Sequence, residues 1–202
     1  MINQLNQSFR ERLPSAHQWV RKGVRWYLSD RFERSEEALA IPRWVAGRMR
    51  WLHPRTIANS PDPEPFVTGT ILKELIPGDS FVDIGAYIGL HTITAAQVVG
   101  QSGSVVSVEP SPTNLSLLRS HVRKNALGNV EVLDRMVSDS TGKVTLHLLN
   151  DGDSSSNSIT FDEGSEEMAK LARPHRAESL TLDEIAEQTG RRFKLIKIDV
   201  EG

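Results

Sequence analysis

The amino-acid sequence predicts an α/β fold, a parallel sheet with helices on both faces, preceded by a helical extension. Three observations lead there. Between residues 66 and 202, short apolar runs alternate with helix-like stretches. Each run is nearly continuous in Val, Ile, Leu and Phe, as strands buried on both faces require. The runs are punctuated by Gly, Pro, Asn and Asp, which stop regular structure.

The segment ahead of this pattern is different in kind. The net charge of −2 hides an asymmetry. Residues 1–60 hold 11 Lys and Arg against 5 Asp and Glu, or +6; the remainder holds 13 against 21, or −8. All four tryptophans, Trp19, Trp26, Trp44 and Trp51, fall in the basic part. Each pair is seven residues apart, which puts it on one side of a helix. The expectation is a helical lid packed by its aromatic residues. The alternative is weak membrane-surface contact, with indoles in the interface and arginines on anionic headgroups. The charge makes nucleic-acid contact conceivable, but nucleic acid is not the expected partner. The prolines of "NSPDPEP" mark a boundary, giving an extension at 1–60 and a core at 61–202.

The core elements follow in order. "PFVTGTILKELI" reads as a helix stopped by "PGD", then "SFVDI" as the first strand. "LHTITAAQVV" is a helix closed by Gly100, and "SVVSVEP" the second strand. Ser111 is placed to cap a helix from Pro112 to about Leu127, with Gly128 just past its end. "NVEVLDRMV" is the third strand, and the alternating "GKVTLHLL" is expected to fold back on it as an antiparallel arm. "NDGDSSSNS" is a polar loop, and residues 162–178 are charged without a clear period. Thr181 and Glu184 have capping-box spacing ahead of a helix. "FKLIKIDV" is the fourth strand.

Composition narrows the chemistry. A chain of 202 residues, 38% hydrophobic and 25% charged, has one core and room for an appendage. With no cysteine there is no disulfide, thiolate metal site or cysteine nucleophile. The first residues lack a signal-peptide apolar core, and no run is long enough to span a bilayer, so a cytoplasmic protein is expected.

In sheets of this type ligands bind beyond the carboxyl ends of the strands, where strand order reverses. There the sequence reads "FVDIGAYIGLHT", with Gly85 and Gly89 four residues apart and Asp83 ahead of them. A dinucleotide wants G-x-G-x-x-G, with a middle glycine against the pyrophosphate; Ala86 and Tyr87 stand there instead. A carboxylate at Asp83 would repel a pyrophosphate but suit S-adenosylmethionine, which carries an ammonium and a sulfonium. Glu109 ends the second strand, 24 residues after Gly85, and can accept from both ribose hydroxyls of either cofactor. Pro110 follows it. Ser138 and Asp139, after the third strand, are expected at the adenine edge.

Taken together, "FVDIGAYIGLHT", "VVSVEPSPTNLSLL", "VSDSTGKVTLH", "SLTLDEI" and "LIKIDVEG" resemble the FkbM family of S-adenosylmethionine-dependent methyltransferases, from about Phe66 to the end. The resemblance implies a Rossmann-like class I methyltransferase fold and, usually, O-methylation of a sugar or natural-product hydroxyl. The acceptor would be a small molecule or glycan. Tyr87 departs from the asparagine often found there in the family.

"KIDVEG" places Asp199 and Glu201 at the end of the fourth strand. An alcohol acceptor must lose a proton, and Asp199 and Glu201 are the candidate bases, with His91 third. No histidine cluster supports a metal site, and none is expected. Lys197, on the same face as Asp199, needs a partner if buried, and Asp83 is the nearest candidate. A sheet of this kind normally continues, so a chain ending at Gly202 reads as truncated, with the fourth strand a bare apolar edge. An inactive cofactor-binding remnant and a nucleotide-cofactor oxidoreductase are the alternative functions. Other polar residues have simpler readings. Asp183 caps its helix, His121 and His147 are expected in solvent, and the serine loop is a connection.

Overall fold

The computed structural model describes residues 41–45, 48–52, 64–149 and 172–200. The chain divides into two units, residues 1–39 and 40–202, and every described residue lies in the second. The expected helices around Trp19 and Trp26, the serine loop and Glu201 lie outside the described residues.

The first described elements are strands, not a helix. β1 (Ile41–Val45) and β2 (Arg48–Leu52) pair antiparallel, with Val45 opposite Arg48 and Trp44 opposite Met49. The seven-residue spacing of Trp44 and Trp51 therefore spans a hairpin. Pro42 is disfavoured inside a helix, and β-branched and aromatic residues favour the strand.

Helix α1 (Pro65–Glu74) opens with proline at its first position. The central sheet then assembles from β3 (Ser80–Ile84), β4 (Ser104–Val108), β5 (Val130–Leu133) and β9 (Leu195–Ile198) in the order β5-β4-β3-β9, all parallel. Counted along the sheet's own strands, that order is 3-2-1-4. It is the Rossmann arrangement, whose direction of winding reverses between β3 and β9.

The apolar runs alternate across the sheet as the pleat requires. Phe81 and Val105 face α1 and α2 (Leu90–Val99), packing with Ile71, Leu75, Ala95, Ala96 and Val99. Val82, Ile84, Val106 and Val108 face the other way, onto Leu180 and Ile185. Each such fully buried side chain contributes about 1.5–3 kcal/mol. Ile185 belongs to α4 (Leu182–Thr189), whose start is fixed by the expected capping box between Thr181 and Glu184.

The second and third connections depart from expectation. Helix α3 (Pro112–Lys124) ends at Asn125 rather than near Leu127, and Ser111 holds the cap position without a side-chain bond. The third strand breaks in two. β5 stays in the parallel sheet, while β6 (Met136–Val137) joins β7 (Gly142–Leu149) and β8 (Ala172–Leu180) in a separate sheet of order β6-β8-β7. The partner of β7 is thus β8, drawn from the charged stretch that showed no period. Among the described residues no helix is long and apolar enough to cross a membrane.

Candidate functional site

β3 ends at Ile84, and the chain turns through residues 85–89 into α2. This turn stands at the carboxyl end of the sheet, beside the point of reversal. Gly85 has φ +69, and a Cβ there would lie 1.9 Å from the Asp199 carbonyl oxygen. Gly89 has φ +92, and a Cβ would lie 2.5 Å from Leu118 Cδ1. Both glycines are therefore required by the protein's own packing: one lets the edge strand approach, the other lets α3 approach.

The backbone of the turn is turned inward. Gly85 and Ala86 both donate to the Val108 carbonyl at 3.0 Å, and Gly89 donates to the Ala86 carbonyl at 2.8 Å. Tyr87, left-handed at φ 52, donates to Glu109 Oε2 at 2.9 Å. With these four N–H groups engaged, Gly85, Ala86, Tyr87 and Gly89 do not offer their N–H groups to a pyrophosphate.

Glu109 is buried at the end of β4. Its Oε1 accepts from the Ser111 backbone and from Asn114 Nδ2, both at 3.0 Å. Burial pushes its carboxyl above the ordinary range, opposed by the bonds from Asn114, Ser111 and Tyr87. A carboxylate has about four acceptor positions. Three are filled here, and Oε2, with the one donor Tyr87, retains capacity for a ligand hydroxyl.

Asp83 was expected to face a cationic ligand; instead it has no exposed surface. Thr92 Oγ1 donates to its Oδ2 at 2.6 Å and lies 2.8 Å from Ser107 Oγ. Lys197 Nζ sits 3.2 Å from Oδ1, the partnership expected from sequence, and also donates to the Gly85 carbonyl at 2.9 Å. The charge of Asp83 is compensated from β9. What argues against a phosphate ligand is the inward backbone of the turn, not a bare carboxylate.

Asp199 is exposed. Its backbone N–H bonds to the Ile84 carbonyl at 3.1 Å, and its Oδ2 lies 3.6 Å from Lys197 Nζ. Its carboxylate, paired only at that distance, is largely open to solvent at the end of β9. His91 is not: it is buried at the start of α2, with Nε2 against Glu64 Oε2, a link between α1 and α2. Ser138 and Asp139 follow β6 in the other sheet rather than a strand of the parallel one. Ser138 N–H bonds to the Leu180 carbonyl, and Asp139 is exposed. Pro110 is half-buried between Glu109 and Ser111. Among the described residues no cluster of three or more His, Asp or Glu is arranged to hold a metal.

His121 is the clearest reversal. Expected in solvent among Arg119, Arg123 and Lys124, it is buried, and its Nδ1 lies 2.5 Å from the Ile88 carbonyl. Burial lowers its pKa. Asn114 was also overlooked. The signal for both was present: 114, 118 and 121 share one face of a helix at i, i+4 and i+7.

A family model described as the methyltransferase FkbM domain matches residues 83–202, more than half of the chain. The chain is 33% identical over 74 residues to the probable cobalt-precorrin-6B C(15)-methyltransferase (decarboxylating) of Sulfolobus acidocaldarius, covering 37% of this chain and 38% of that protein. It is 34% identical over 62 residues to protein-L-isoaspartate O-methyltransferase 2 of Archaeoglobus fulgidus, covering 31% and 28%. The chain thus spans well under half the length of these curated relatives. Among solved structures, methyltransferase FkbM from Methylobacillus flagellatus is similar with a TM-score of 0.42 and 18% identity, over 62% of this chain and 26% of that one.

Proposed function

The chain belongs to the FkbM methyltransferase domain family, and from that premise we propose that it transfers a methyl group from S-adenosylmethionine to a hydroxyl of a small molecule or glycan. One observation carries the reading. The turn at residues 85–89 and the carboxylate of Glu109 end adjacent strands beside the reversal of a 3-2-1-4 sheet.

The cofactor supplies an electrophilic methyl on a sulfonium; the chain's own residues bind and orient. Glu109 Oε2 takes a ribose hydroxyl. The turn, with Ala86 and Tyr87 between its glycines, lies along the rest of the nucleoside, and Pro110 borders it. Ser138 and Asp139 remain the candidates for the adenine edge. The Asp83–Lys197–Asp199 group ties the turn to the end of β9. Asp199, exposed at the end of β9, is the candidate to accept the acceptor's proton, with Glu201 two residues on. In-line displacement then depends mainly on positioning.

Calorimetry with S-adenosylmethionine, S-adenosylhomocysteine and NAD tests this. Binding of the first two and not of NAD is expected. Binding of NAD alone would overturn it.

A further inference from the structure

We propose that His121 is a positioning residue for the cofactor turn, acting from α3 through the carbonyl of Ile88. Three side chains on one face of α3 bear on that turn, two directly and one through Glu109. Asn114 donates to Glu109, whose other oxygen holds the Tyr87 N–H. His121 meets the Ile88 carbonyl at 2.5 Å. Leu118 closes over Gly89, at 2.5 Å from where a Cβ would stand. Residues 87, 88 and 89 are each fixed from the same helix.

The chemistry of the contact defines the state of the ring. A carbonyl oxygen only accepts, so Nδ1 must carry the proton. The ring is 1% exposed, and burial favours its neutral form. His121 thus acts as a neutral Nδ1–H donor. Its bond holds the carbonyl of Ile88 toward α3 and fixes the peptide between Tyr87 and Gly89, both of which have positive φ. A residue in the left-handed region without glycine's freedom persists only where its surroundings over-determine it. Glu109 supplies that determination to Tyr87 directly, and His121 supplies it through the next residue, Ile88.

The consequence for binding rests on the proposed function, since the turn matters to a ligand only if the ligand lies on it. The experiment uses the 202-residue chain with S-adenosylhomocysteine as probe. His121→Leu keeps volume and removes the donor; His121→Asn keeps a donor at the δ position. The leucine variant is expected to bind about tenfold more weakly, and the asparagine variant to recover most of that loss. A ¹⁵N-histidine spectrum of the wild type is expected to show the neutral Nδ1–H tautomer. Wild-type affinity in the leucine variant, or an Nε2–H tautomer, would overturn the proposal.

Should the leucine variant not fold, His121→Gln moves the donor one bond outward. Weaker binding than the asparagine variant then supports the role, and equal binding refutes it. If the wild type itself binds no S-adenosylhomocysteine, the proposed function fails, and amide exchange decides the positioning role separately. Faster exchange at Tyr87 and Gly89 in the leucine variant, reversed by asparagine, sustains it; unchanged exchange ends it.

Discussion

Lys197 and Asp83 are direct cross-strand partners in the parallel pair of β9 and β3, and their side chains form a buried ion pair with Nζ 3.2 Å from Oδ1. The same ammonium bonds to the Gly85 carbonyl and lies 3.6 Å from Asp199 Oδ2. One lysine therefore ties the edge strand, the buried acid, the turn and the rim carboxylate together.

Removing it leaves Asp83 charged and without a counter-ion in the core. Lys197→Met is expected to cost about 3–5 kcal/mol, measured by urea denaturation. Asp83→Asn added to it should restore a large part, because the stranded charge is gone. A single variant within about 1 kcal/mol of wild type would contradict the pairing.

The two glycines of the turn should differ in tolerance. A methyl at Gly85 meets the Asp199 backbone at 1.9 Å, whereas one at Gly89 meets the end of a leucine side chain at 2.5 Å. Gly85→Ala is expected to cost at least about 3 kcal/mol and Gly89→Ala about 1–2 kcal/mol. Thermal melts of the two variants check the order.

Glu109→Ala removes the acceptor for Tyr87, Ser111 and Asn114 together with the proposed ribose contact. Affinity for S-adenosylhomocysteine should fall about tenfold, on the order of 1.4 kcal/mol. Titration calorimetry measures it, and unchanged affinity would remove Glu109 from the site.

The buried His121 gives a pH dependence of definite sign. Its folded pKa lies below the unfolded value, through burial first and Lys124 second, opposed by the Ile88 bond. The unfolded chain therefore binds more protons as pH falls below about 6.5. The stability that this residue contributes is present above that pH and is lost as pH falls toward the folded pKa. Across pH 7.5 to 5, His121→Asn should lose less melting temperature than wild type. Equal losses would show that the ring titrates alike in both states.

The parallel core was legible because its strands are short apolar runs between strong stop signals, and the capping box at Thr181 has few other meanings. The pairing of Lys197 with Asp83 followed from alternation and burial alone. Elsewhere spacing misled. Trp44 and Trp51 match a helix period, yet Pro42 and the β-branched residues around them decide for a hairpin. β8 was hidden because Arg173, His175, Arg176 and Glu178 mask its alternation. His121 was misjudged from its sequence neighbours, although Arg119 and Arg123 lie about 200° around the helix from it and both are exposed. The inward bonding of the turn and the full burial of Asp83 depend on contacts between distant segments, which local pattern does not encode.

The absence of any side chain between Gly85 and the Asp199 carbonyl has a thermodynamic meaning. The turn and the end of β9 meet there as bare main chain, so a displacement of one is handed to the other without slack. A ligand held on one side of this joint would therefore be linked to one held on the other, by the same factor in both directions.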